Sequence, residues 1–198
     1  MSVKPTVGVL ALQGDFAEHA AALLSLGVPT QEVRTAGHLA QVDGLIIPGG
    51  ESTTMAKLLD AFGLRTPLIA YAQAGKPIWG TCAGMILLAD RLVEDQPEPL
   101  GLMRLLVHRN AFGRQLDSFE VDLPVDGLDG EPFHAVFIRA PAVCEIGPEV
   151  QVLSRLDDGR TVAVRERHFL ATAFHPELTN DTRMHGYFME MVEATCVP

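Results

Sequence analysis

"KPIWGTCAGMILLAD", Lys76 to Asp90, decides the fold. An apolar run, Ile78-Trp79, reaches Gly80, and Cys82 follows between Gly80 and Gly84. Beyond Gly84 the residues are helix-formers, so helix is expected over Ala83 to Leu92. A buried strand that turns at once into a helix is the unit of a parallel α/β sheet. Upstream the same rhythm repeats. Val7 to Leu12 reads as a strand buried on both faces, and Gly14 breaks it. A helix capped by Asp15 should run to Leu26, ended by Gly27 and Pro29. "TQEVRT" and "GLIIPGG" (Gly44 to Gly50) read as strands. Met55 to Phe62 and Pro67 to Ala74 read as helices. Strands alternating with helices require parallel pairing, with the working crevice at the carboxyl ends of the strands. Both glycine corners, Pro48 to Glu51 and Gly80 to Gly84, fall at such ends.

After a polar, proline-bearing loop, Glu94 to Gly101, the texture changes. "RLLVHRN", "LDSFEVDLPV", "HAVFIRA", "VQVLSRL", "TVAVRER" and "FLATAFHPEL" read as strands, with Asp157-Asp158-Gly159 as a hairpin turn. A last helix from about Asp181 to Ala194 carries an apolar stripe of Met184, Phe188, Met191 and Val192, as a core-facing helix does. The expectation is therefore one α/β domain over residues 1–198. Its mostly parallel, flavodoxin-like or Rossmann-like sheet is flanked by helices, with antiparallel strands added in the second half.

The bulk numbers fit that class and narrow the function. The chain has 198 residues, 47% of them apolar and 20% charged, enough for a full core. A formal net charge of −10, from 15 basic and 25 acidic residues, argues against a nucleic-acid backbone binder. No apolar segment approaches the ~20 residues of a membrane helix, and the N-terminus reads as a strand rather than a signal peptide. Cysteines at 82, 144 and 196 make neither a disulfide framework nor a zinc site, which fits a reducing, cytoplasmic compartment. No metal and no cofactor is called for. The Pro48 to Glu51 corner is not a phosphate loop, because no Lys-Ser or Lys-Thr follows it.

Gly80-Thr81-Cys82-Ala83-Gly84 has the form of a nucleophile elbow with sulfur in place of oxygen. Such a turn strains the nucleophile's backbone and needs small neighbours. Helix N–H groups starting at Ala83 would favour thiolate and could hold an oxyanion. A lone cysteine is otherwise a small buried residue; the strand end and paired glycines favour the nucleophile. A thiol needs a base. Of seven histidines, at 19, 38, 108, 134, 168, 175 and 185, His175 has the setting. Pro176 biases it toward extended geometry, where His175 and Glu177 project to one face. His19 and His185 lie on expected helices and read as solvated or capping.

These strings together carry a family likeness. "GTCAGM" with "FHPE" resembles the class I glutamine amidotransferases and their Cys-His-Glu triad. With "LALQGDFAEH", "LIIPGGESTTM", "RNAFGRQLDSFE" and "VFIRAP", the chain resembles, over nearly its whole length, the glutaminase subunits of pyridoxal 5′-phosphate synthase. The resemblance implies hydrolysis of L-glutamine to glutamate and ammonia, with Cys82, His175 and Glu177 as the triad. It implies backbone N–H groups of Gly50 and Ala83 as oxyanion donors. It also implies glutamine contacts from Gly50, Glu51, Ser52, Arg109, Ile138 and Arg139, and leaves open which arginine takes the carboxylate. The implied partner is a synthase subunit that accepts the ammonia. The glutaminase is expected to be weak alone, its oxyanion hole completed on docking, with Gln13 and Asp15 of the "LQGDF" turn as candidate docking contacts. Two other readings share the fold: a DJ-1/PfpI-like cysteine hydrolase, which would want a histidine beside the cysteine where Ala83 stands, and a non-enzymatic regulatory subunit.

Overall fold

The protein is described here by a computed structural model covering residues 4–109 and 118–196. The part of "RNAFGRQ" beyond Arg109 lies outside the described residues. A central parallel block holds β2 (Thr30–Val33), β1 (Val7–Leu10), β3 (Gly44–Ile47) and β4 (Ile78–Thr81), in that spatial order. Next to β4 lies β12 (Phe169–Thr172), also parallel, with Gly80 opposite Ala171 and Thr81 opposite Thr172. β1, β3, β4 and β12 are buried at every residue, as strands covered on both faces must be.

The sheet continues antiparallel through β11 (Thr161–Glu166), β9 (Ala142–Ile146) and β6 (Met103–His108). It ends on β5 (Ala89–Leu92), parallel to β6. β10 (Gln151–Arg155) pairs with β11 across a turn containing Gly159. A separate ribbon pairs β7 (Ser118–Leu123) with β8 (Phe133–Ile138), and Phe119 stacks on Phe137 with ring centroids 4.5 Å apart.

The helices are α1 (Phe16–Ser25), α2 (Ala36–Leu39), α3 (Ser52–Ala61), α4 (Arg65–Gln73), α5 (Ala83–Leu88) and α6 (Arg183–Cys196). α6 buries the expected stripe of Met184, Phe188, Met191 and Val192. The core reaches from Val7 to Val192 as one apolar cluster. The short α2 was not expected from the sequence; the Thr35 side chain caps it by accepting from the His38 N–H.

Three expectations are corrected. The helix expected over Ala83 to Leu92 stops at Leu88, and Ala89–Leu92 pairs with β6 as an edge strand. Its ladder with Met103, Leu106 and Val107 outweighs local helix preference. "FLATAFHPEL" is a strand only to Thr172, and Pro176–Leu178 form a 3₁₀ turn with proline at its start. Asp15 does not cap α1 through its side chain; it turns to His175 instead. Among the described residues no helix is long and apolar enough to cross a membrane.

Candidate active site

The strand order brings the two motifs together. β4 and β12 are parallel neighbours, so the chain leaving each emerges at the same end of the sheet. Cys82 follows β4, and its N–H donates to the Thr172 carbonyl at 2.8 Å. Three residues after β12 comes His175, whose N–H donates to the Val136 carbonyl of β8 at 2.8 Å. On the other flank of β4, β3 delivers Gly49, Gly50 and Glu51.

The elbow geometry is present. Cys82 sits at φ 46° and ψ −101°, a conformation that non-glycine residues occupy at a cost of ~1–3 kcal/mol. The strain needs close approach on both sides. A Cβ on Gly84 would fall 2.1 Å from the Ile47 carbonyl oxygen, and one on Gly80 would fall 2.4 Å from the Gly84 carbonyl carbon. Cys82 is nearly buried, and its sulfur lies 3.8 Å from the Ile138 carbonyl oxygen.

His175 Nδ1 lies 2.7 Å from Glu177 Oε1 and 3.3 Å from Asp15 Oδ2. The extended His-Pro-Glu geometry expected from sequence is not what joins the pair. The 3₁₀ turn instead folds Glu177 beneath the ring, and its carboxylate is sealed from solvent. Burial opposes the imidazolium. Hydrogen bonds and charge from Cys82 and Glu177 outweigh that and push His175 up to about 10. Burial raises Glu177, partly offset by His175. Burial likewise raises Asp15. Donor atoms of Asp15, His175 and Glu177 converge within 4.8 Å, close enough to hold a cation. A carboxylate holding one nitrogen of an imidazole, with the Cys82 sulfur near enough to raise the ring's proton affinity, is equally the arrangement of an oriented base.

A cavity of about 490 Å³ opens onto Cys82 and His175. Its walls carry every glutamine contact named from the sequence: Gly50, Glu51, Ser52, Arg109, Ile138 and Arg139. Ala83 is not on the wall but begins α5 directly behind Cys82. Gly50 has φ 148°, and Gln13 lies against it: a Cβ there would meet Gln13 Oε1 at 2.5 Å. Gln13 Oε1 also accepts the Glu51 N–H at 2.9 Å. The Glu51 carboxylate caps α3, accepting from the N–H groups of Thr53 and Thr54, so Ser52 is a buried first helical residue and not the cap.

The two arginines differ. Arg109 donates to the Gln96 carbonyl at 2.7 Å, to Thr53 Oγ1 at 3.1 Å and to Glu51 Oε1 at 3.3 Å. Arg139 sits at φ 43° and is exposed. Residues the sequence reading assigned elsewhere also enter. Gln13, Asp15 and Ile86 line the cavity. His19 and His185, read as solvated or capping, are both fully buried.

The model of the SNO glutamine amidotransferase family matches residues 9–194. The chain belongs to that family. Among curated members, it is 58% identical over 189 residues to the "Pyridoxal 5′-phosphate synthase subunit PdxT" of Roseiflexus castenholzii, covering 94% of this chain and all of that one. To the protein of the same name from Acidothermus cellulolyticus it is 59% identical over 199 residues, covering 98% and 96%. A crystal structure of a glutamine amidotransferase superposes with TM-score 0.89 at 50% identity, covering 94% and 98%. A chain of the PurLQS structure from Thermotoga maritima matches with TM-score 0.68 at 19% identity, over 98% of this chain and 97% of that one, which speaks to the fold alone. The family fold is thus the parallel α/β sheet with antiparallel additions described above.

Proposed function

We propose that this chain is the glutaminase subunit of pyridoxal 5′-phosphate synthase, hydrolysing L-glutamine and passing ammonia to a synthase subunit. One observation carries the chemistry: a strained cysteine and a carboxylate-held histidine share a cavity whose wall holds two arginines. The relatives' shared name supplies the pathway.

In this reading His175 already holds the Cys82 proton as an imidazolium beside a thiolate, and that sulfur attacks the side-chain amide carbon of glutamine. Charge developing on the amide oxygen is met by the N–H groups of Ala83 and Gly50. His175 then protonates the leaving nitrogen, and ammonia departs. Water, deprotonated by His175, cleaves the thioester to glutamate. Glu177 keeps the Nδ1–H tautomer, so that Nε2 serves sulfur and nitrogen in turn. Arg139 takes the glutamine carboxylate, because both terminal nitrogens of Arg109 already donate to Gln96, Thr53 and Glu51, which leaves only its buried Nε without a partner. The Gln13 contacts link the "LQGDF" turn to Gly50, which supports docking of the synthase there as the event that completes the oxyanion hole. The three unpaired cysteines suit the cytoplasm.

The test is glutamate release with and without the synthase subunit. Cys82→Ala should abolish release, while the mixed complex still uses added ammonium. Normal glutamine hydrolysis by that variant would remove Cys82 from the mechanism.

A further inference from the structure

Behind Glu177 lies a second layer of polar groups. Glu177 presents Oε1 to His175, and its other oxygen, Oε2, is buried without a well-formed hydrogen bond. His19 Nε2 of α1 lies 3.2 Å from that oxygen. The same nitrogen is 3.2 Å from Thr81 Oγ1, the residue before Cys82. On its far side, His19 Nδ1 lies 3.0 Å from His185 Nε2 of α6. Trp79 packs its ring against both imidazoles, at centroid distances of 5.6 and 5.1 Å.

The proton positions in this chain follow from the atoms. A carboxylate oxygen only accepts, so His19 Nε2 must carry hydrogen; otherwise a lone pair would face an anion in a dry interior. Burial keeps His19 neutral, well below its usual range, helped by His185 and His175. Its Nδ1 is then bare and needs a donor, which is His185 Nε2–H. That leaves His185 Nδ1 bare, and it is indeed a buried ring nitrogen without a partner. The opposite assignment would orphan an N–H donor at His185 and turn a lone pair onto Glu177.

We propose that His19, its tautomer set by His185, is a positioning residue that gives Glu177 Oε2 its hydrogen and keeps the carboxylate charged and aimed at His175. The proposal rests on the glutaminase reading. Removing the donor makes the Glu177 anion less favourable, so Glu177 takes up a proton at higher pH. A protonated Glu177 no longer supplies the charge that holds His175 as imidazolium and instead donates to its Nδ1, so the ring cannot keep the proton taken from sulfur. Other charged or titratable groups face the pair. Cys82 and Asp15 face His175, Asp15 also acts on Glu177, and Glu18 acts on Asp15. All of these remain in the variants.

The experiment follows the pH dependence of glutamate release by the glutaminase–synthase complex, for wild type, His19→Leu and His19→Gln. For His19→Leu, the acid limb of kcat/KM should move up by about one pH unit, with KM unchanged. His19→Gln, which can donate to Glu177 and accept from His185, should restore the wild-type limb. Lowered thermal stability with an unmoved acid limb would overturn the proposal and leave a packing role. Nitrogen-15 spectra of the wild-type histidine rings need no variant to fold. They should show His19 and His185 neutral and protonated at Nε2, and hydrogen on His19 Nδ1 would refute the assignment. If wild type releases no glutamate, the glutaminase reading fails, while the spectra still decide the proton chain.

Discussion

A single methyl group at position 49 should separate the proposed chemistry from the fold. Gly49 is not in the left-handed region, so alanine meets no backbone penalty of that kind. Its Cβ would fall 2.3 Å from His175 Cε1 and 2.8 Å from Nδ1, whereas ordinary contact begins near 3.4 Å. The imidazole must therefore retreat by about 1 Å, since the methyl sits on rigid main chain: the Gly49 carbonyl accepts the Asp15 N–H at 3.2 Å. The Nδ1 contact to Glu177 is 2.7 Å, and a displacement of the ring by about 1 Å is larger than the spread of hydrogen-bond distances, so the ring's alignment is lost. Misplacing a catalytic group by this much costs about 10²-fold in rate, roughly 2.7 kcal/mol of barrier. Gly49→Ala should lose about that factor in kcat for glutamate release in the complex, while circular dichroism and the melting temperature stay near wild type. A folded variant that turns over at the wild-type rate would refute the claim that this ring, in this place, is the base.

Two further outcomes follow from the same geometry. Arg139→Ala should raise KM for glutamine by about ten-fold or more while kcat changes less; steady-state kinetics check it, and an unchanged KM would move the carboxylate to Arg109. Acid should destabilise the fold through the buried histidine pair. His185 is held at about 4 by burial against about 6.5 unfolded. The unfolded chain therefore binds the extra proton between those values, and stability present above pH 6.5 is lost as pH falls toward 4. That loss is roughly 3 kcal/mol from His185, with His19 acting in the same direction. Urea denaturation at stepped pH measures it, and a flat midpoint across that window would contradict it.

Much of the site was legible because its pieces are local. Cys82 between glycines forecast a strained turn, and φ 46° is that turn. The spacing of His175 and Glu177 around Pro176 forecast their meeting, although a 3₁₀ turn achieves it where extended chain was expected. Position along strands was legible too, since Pro48 to Glu51 and Gly80 to Gly84 do share one end of the sheet. What could not be read depends on tertiary partners. The His19 and His185 positions on their helices are compatible with surface or interior, and only the crossing of α1, β4 and α6 buries them together. Asp15 looks like a helix cap until β12 brings His175 within 3.3 Å. Ala89 to Leu92 becomes strand only because β6 offers it a ladder.

The seating of β12 against β4 has a consequence for how the chain is made. When the first hundred residues have been made, the parallel block of β2, β1, β3 and β4 is present, but β4 still has one side of its backbone unpaired. The strand that closes it is not synthesised until about residue 172, a contact of high sequence separation that is slow to form. Until then the thiol at position 82 lacks the imidazole proposed as its base, and the bare edge of β4 stays open to mispairing.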